Sequence, residues 1–270
     1  MNERDQAVSA DEAPGPQVVV GTRIVMARLD WDIMMHRVVM VLLGQLETRE
    51  SSHFQHQRVR ARRIREIAQV TQKSIHQEVA RAAEKLDEAT IGVWCPEKKG
   101  HERVPVFVCC DYKSSRGVLE ARFAEPLREH VQFPEGRAVQ YPLLYAMRLS
   151  TPYAIRGYEI SKMIEQIAGR DEKHLPVSLF RRMFKLEGKY ERHCDMRRRV
   201  IAPAVAEVSE KTDVCVQCRD VREGQTPIAL RWQVQPKNEG RPPAIRDSMG
   251  GGDRFVDEVN ESRGRRCDGG

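Results

Sequence analysis

One order of elements occurs twice along this chain: a helix, a short helix, a turn, a longer helix and a β-hairpin. Apolar residues spaced by three and four mark the helices, and β-rich or alternating runs mark the strands. In the first half, Asp30 caps a helix running to Leu46, with Trp31, Met34, Met35, Val38, Val39, Leu42 and Leu46 on its apolar side. A polar loop over 47–57 leads to a short helix over 61–69. Thr71 then caps a longer helix over 72–88, with Ile75, Val79, Ala82, Ala83 and Leu86 inward. Strands are expected at 104–112 and 118–123 about the turn Ser114-Ser115-Arg116-Gly117.

In the second half, Thr151-Pro152 opens a helix to about Ala168, since proline is accepted in a first turn. A loop over 169–174, a short helix over 176–184 and the turn Leu186-Glu187-Gly188-Lys189 follow. Tyr190 to about Lys211 reads as a long basic helix, and 213–221 with 227–234 form a hairpin about Glu223-Gly224-Gln225. Two such copies predict an α+β chain of two tandem winged helix-turn-helix domains, over 21–140 and 141–235. Residues 1–20 are expected to be a flexible arm, and the Gly-, Pro- and Arg-rich residues 236–270 a disordered tail.

The formal charge of +6 is unevenly placed. It is −3 over 1–20, +3 over 21–135, +6 over 136–235 and 0 over 236–270. A local positive field favours a polyanionic partner. No apolar run approaches the roughly 18–20 residues of a membrane span, and 1–17 is polar and acidic with no export signal, so a cytoplasmic protein off the membrane is expected. The seven cysteines are odd in number and scattered, unlike a secreted disulfide framework. Cys215 and Cys218 form a C-x-x-C without a partner pair at zinc-ribbon spacing, and strand residues are the plainer reading.

The segment 190–208 carries the strongest chemical signal. At about 100° per residue, His193, Met196, Val200, Ala204 and Val208 share one side. Arg192, Asp195, Arg198, Arg199, Ala202 and Ala206 fall opposite, and Arg197 sits beside the apolar stripe. Small residues allow close approach to a groove floor, and arginine can donate two bonds to guanine or bind phosphate. The span 177–199, with eight Lys/Arg and three acids, is either a DNA-contacting surface or a solvated basic face. The DNA-facing candidates here are Arg181, Arg182, Lys189, Arg192, Arg197, Arg198 and Arg199, with Arg222 on the hairpin. Pro203 predicts a kink or a restart of the helix. In the first half Lys73, Gln77 and Arg81 recur at four-residue spacing on one outward face. Arg58, Arg60, Arg62, Arg63 and Arg65 either bind phosphate or form a solvated helix start.

Enzyme signatures are missing. There is no G-x-x-x-x-G-K-[ST] phosphate loop. His53-Phe54-Gln55-His56 has neither the spacing nor the strand context of a rolling-circle nuclease metal site. No catalysis, metal or cofactor is expected.

The run Leu149-Ser150-Thr151-Pro152-Tyr153-Ala154-Ile155-Arg156-Gly157-Tyr158-Glu159, with 190–213 and the hairpin end Ala229-Leu230-Arg231-Trp232, resembles the iteron-binding plasmid replication initiators. The run matches that family's link into its second winged-helix domain, whose usual form is Ser-x-Tyr-Ala-x-Arg-x-Tyr-Glu. Residues 69–90 and the strand pair near Tyr112 are more loosely similar to its first domain, and His193 and Met196 stand where the family often has aromatic residues. The resemblance implies a protein that binds tandem origin repeats in double-stranded DNA as a monomer, helps open the origin, and recruits the host initiator and replicative helicase. As a homodimer joined through its first domain it represses its own gene and limits copy number. It also implies that the segment 190–211 reads the groove, through Arg192, Arg197, Arg198 and Arg199, with the wing at 222–225 along phosphates. Alternatives are a winged-helix transcriptional regulator without a replication role, a rolling-circle nicking enzyme, and a protein-interaction module.

Overall fold

The structure is a computed structural model and describes residues 16–46, 54, 56–70, 74–95, 100–131, 138–167 and 172–237. Residues 1–15 of the expected arm and all of the expected tail but Pro236 and Lys237 lie outside these residues.

The first unit opens with β1 (Gln17–Gly21), antiparallel to β7 (Ala138–Pro142). The end of the expected arm therefore belongs to the fold, because Val18 and Val20 alternate inward and are buried. A single turn, α1 (Thr22–Val25), leads to α2 (Ile33–Gly44). Asp32, not Asp30, caps α2, accepting from the Met34 and Met35 backbone N–H groups at 3.1 and 3.0 Å. Next come β2 (Gln57–Arg60), α3 (Ala61–Ala68) and α4 (Ile75–Asp87). The expected cap Thr71 lies outside the described residues.

The single strand expected over 104–112 is two strands, β4 (Gly100–Pro105) and β5 (Phe107–Lys113). Pro105 has no N–H to continue a ladder. Val106 instead donates to the Ala89 carbonyl at 3.1 Å, and the chain passes from one sheet to another. β3 (Thr90–Cys95) pairs with β4, while β5 pairs with β6 (Val118–Phe123). Two helices that the sequence reading did not resolve follow, α5 (Glu125–Val131) and α6 (Leu143–Arg148). α6, expected in the second domain, packs against α2 and α3 of the first.

The second unit runs α7 (Pro152–Ile167), β8 (Glu172–Pro176), α8 (Val177–Met183), α9 (His193–Met196), a π-helical turn (Arg197–Ile201), α10 (Ala202–Lys211), β9 (Val214–Glu223) and β10 (Thr226–Pro236). Its sheet order is β8-β10-β9, and the first unit repeats it as β2-β6-β5. In each copy the short strand before the helix-turn-helix pairs with the last strand of the hairpin. The sequence hides β2 and β8 because each buries little apolar surface, Val59 in one and Leu175 in the other. Among the described residues no helix is long and apolar enough to cross a membrane.

α7 joins the units. It meets α10 and β10 on one side and α1, α2, α6 and β7 on the other, so every residue from Ala154 to Ile164 is buried. Polar groups on such a helix need partners inside. Arg156 donates to Glu159 at 2.6 Å and to the backbone carbonyls of Val25 and Ala27 in the first unit. The Tyr141 hydroxyl donates to the other Glu159 oxygen at 2.9 Å. On the second-unit side, the Tyr158 hydroxyl and Lys162 both donate to Asp213, at 2.8 and 3.0 Å. The buried Trp232 indole donates to Ser161 Oγ at 3.0 Å, which donates to the Gly157 carbonyl. The residues that carry the family resemblance, Arg156, Tyr158 and Glu159, are thus the joint between the two halves.

Replacing Arg156 by Met leaves the Glu159 charge in the interior with only the Tyr141 hydroxyl for partner and takes the same donor from two carbonyls. Breaking one side of a buried pair costs about 3–5 kcal/mol, and urea unfolding is expected to show a loss of that order; a loss under about 1 kcal/mol contradicts it. Burial, with the Arg156 charge beside it, pushes His36 from 6.5 down to about 3. Its imidazole is neutral in the fold, while the unfolded chain takes up the proton below about 6.5. Stability therefore falls as pH drops from 6.5 toward 3. His36→Phe is expected to flatten that part of the stability–pH curve.

Candidate nucleic-acid interface

The turn between α8 and α9 is built by its own backbone and one arginine. Lys185 takes a left-handed φ of 49°, and the Leu186 N–H reaches back to the Arg181 carbonyl at 2.8 Å. The first unit repeats this after α3, with Gln69 at φ 51° and the Val70 N–H bonded to the Arg65 carbonyl at 3.2 Å. This is the 6→1 closure of a Schellman motif, made here without glycine at the left-handed position. Gly188, at φ 73°, and Tyr190, at φ 50°, complete the second turn.

Arg181 was expected to face DNA, and its guanidinium instead points into this turn. Nη1 donates to the carbonyls of Leu186 and Lys189 at 3.2 and 3.0 Å, and Nη2 to those of Tyr190 and Glu191. The fork is consumed by carbonyls that have no helical partner. Arg182 turns toward the first unit, 2.8 Å from His101 Nε2. Lys185 pairs with Asp30 and Arg28 with Glu187, so the outer side of the turn rests on the first unit.

Past the turn the chain becomes helical at His193 rather than at Tyr190. Met196, Val200, Ile201, Ala204 and Val208 are buried, close to the face read from the sequence. A π-helical turn precedes Pro203. The Ala202 N–H bonds to the Arg197 carbonyl, five residues back, and the flanking dihedrals stay helical. The wider turn makes room for a ring that cannot donate. The restart expected at Pro203 takes this form.

Arg192, Arg198 and Arg199 are exposed on the opposite side, with Ala202 and Ala206 beyond them. Arg198 touches Asp195 at 3.0 Å with 71% of its side chain open, a pair of the exposed kind that holds weakly. The Arg199 guanidinium lies 6.0 Å over the Tyr190 ring. Lys189 is exposed in the turn.

Arg197 and Arg222 are placed differently. Both contact Asp220 of β9, Arg197 at 3.0 Å and Arg222 at 3.2 Å, and His193 Nε2 is 3.0 Å from the same carboxylate. Burial raises the Asp220 pKa, but the contacts from His193, Arg197 and Arg222 outweigh it and hold the carboxyl below its usual range. Arg197 also donates to the Cys218 carbonyl and Arg222 to that of Gln225, both at 2.9 Å. The sequence offers Arg197 and Arg222 as DNA contacts and gives no sign of their shared partner Asp220. The missing information was tertiary: only the docked hairpin brings β9 to the helix start.

In the first unit, Gln77 and Arg81 are exposed on α4, and Lys73 lies outside the described residues. Arg58 pairs with Glu120, while Arg62 and Arg63 share Glu66. Cys215 and Cys218 are residues of β9, three apart and hence on opposite faces of the sheet. Burial pushes the Cys218 thiol up to about 11.

The chain matches the family model described as initiator replication protein, WH1, over residues 17–162, and that of the initiator Rep protein, WH2, over 176–234. Its fold is similar to the crystal structure of Pi initiator protein in complex with iteron DNA, with a TM-score of 0.72 at 14% identity, covering 84% of this chain and 100% of the other. The two matches meet near the end of α7, where the two winged-helix units of the structure join. The chain belongs to the initiator replication protein family.

Proposed function

We propose that this chain initiates plasmid replication by binding tandem origin repeats in double-stranded DNA. The observation that carries the reading is the open face of the α9–α10 segment, where Arg192, Arg198 and Arg199 stand exposed beside exposed Ala202 and Ala206. The arginines donate to base edges and phosphates, and the alanines let the helix backbone approach the groove. The likeness of fold to Pi initiator protein, solved with iteron DNA, supports the choice of repeated sites.

In this reading the second unit, 152–236, reads the repeat. The first, 17–148, touches DNA through Gln77 and Arg81 and pairs two copies of the chain. Binding is non-covalent, in the cytoplasm. Contacts spread over several repeats offset the cost of bending and opening the neighbouring duplex. Recruitment of the host initiator and helicase, and repression of the chain's own gene by the dimer, belong to the same proposal.

The test is a gel-shift titration with the DNA that flanks the coding sequence. Direct repeats bound at successive sites are expected, whereas a single palindrome bound by a dimer favours a transcriptional regulator. A covalent adduct with supercoiled DNA and divalent metal favours a nicking enzyme. Arg198→Ala is expected to cost about 1–3 kcal/mol on the repeat, roughly 5- to 150-fold in affinity. Unchanged affinity removes this face from the reading surface.

A further inference from the structure

One carboxylate ties the start of the reading helix to the wing. Asp220 Oδ1 meets His193 of α9 and Arg197 of the π-helical turn, each at 3.0 Å, and Oδ2 meets Arg222 near the wing tip at 3.2 Å. The acid is enclosed, with 11% of its side chain open, while 40% of Arg197 and 50% of Arg222 remain open above it. Each guanidinium spends a second donor on a backbone carbonyl of the hairpin, Cys218 for Arg197 and Gln225 for Arg222.

Apolar packing does not duplicate this link. Leu230, opposite Asp220 in the ladder, is the last buried residue before the wing tip, and residues 222–226 and Ile228 are exposed. The tip turns at Gly224, at φ 59°, in open space. A two-stranded ribbon without a core beneath it is easily moved, and the contacts of His193 and Arg197 with β9 link it to the helix start.

Resting on the reading that this segment meets DNA, we propose that Asp220 is a positioning residue for sequence discrimination. Asp220 holds Arg197 and Arg222 in fixed directions, so that they add to binding only when the duplex fits the helix and wing together. It also competes with phosphate for both guanidinium groups. With the carboxylate gone, two long and flexible cations reach any nearby phosphate. Such contacts carry no sequence information and are salt-dependent. Affinity for all DNA then rises while the preference for one sequence falls. This differs from Arg198, whose contact with Asp195 is exposed and lies within the helix itself.

The test compares wild-type protein with Asp220→Asn, Asp220→Glu and Glu210→Gln, the last removing the same charge from an exposed position on α10. Affinities are measured across a salt series for a duplex selected by the wild-type protein from a random pool and for a duplex of scrambled sequence. Asp220→Asn is expected to bind the scrambled duplex several-fold more tightly, with a salt slope steeper by up to about 2. Its ratio of selected to scrambled affinity is expected to fall about tenfold. Asp220→Glu, which keeps the charge, is expected to recover much of that ratio. Glu210→Gln is expected to tighten binding to both duplexes alike and leave the ratio in place.

An Asp220→Asn ratio equal to wild type overturns the proposal, as does a fall no larger than that of Glu210→Gln. Lower affinity for both duplexes with a lowered melting midpoint also overturns it, because Asp220 is then structural only. Wild-type protein that prefers no sequence at all overturns the parent reading and this one together, whereas discrimination that survives Asp220→Asn overturns only this one.

Discussion

Arg156 donates from one guanidinium to the Glu159 carboxylate beside it on α7 and to the carbonyls of Val25 and Ala27 in the other half of the molecule. The two units meet around a helix buried on all sides, where an unpaired charge is costly. An apolar helix of the same length would also fill the space, but apolar contact is not directional. The hydrogen-bond forks fix rotation and register, and the Tyr158–Asp213–Lys162 contacts do the same toward β9. The position of the α9–α10 segment relative to the first unit descends from this joint.

Arginines of the second unit divide by partner rather than by place in the sequence. Arg156 and Arg181 serve backbone carbonyls inside the fold, the first between units and the second within a turn. Arg197 and Arg222 are shared with Asp220 at the base of the wing. Arg192, Arg198 and Arg199 stay open to solvent. The net positive charge of the region therefore overstates the number of cations that can move to a phosphate. Arg192, Arg198 and Arg199, which can, are grouped on the side of the helix where small residues permit close approach.

Much of this was legible in the sequence, for identifiable reasons. Met196, Val200, Ala204 and Val208 fall on one side because a helix repeats every 3.6 residues, and they are buried. The wing hairpin was marked by Gly224, and the two winged-helix copies by the order of their elements. β2 and β8 were not legible, because strands of four and five residues with one buried apolar side chain apiece show too little alternation to stand out. α6 was not legible because Leu143–Met147 are buried all round and carry no periodicity. The fates of Arg181 and Arg197 depend on turn geometry and hairpin docking, which spacing along a chain does not encode.

The account stands on the open arginine face lying in the major groove. Guanine N7 is exposed there and is methylated by dimethyl sulfate, so protection of N7 reports occupancy of that groove directly. On a duplex that the protein binds specifically, the account predicts guanines protected by wild-type protein that become reactive again with Arg198→Ala and Arg199→Ala while the protein remains bound. Full N7 reactivity beneath tightly bound wild-type protein contradicts it.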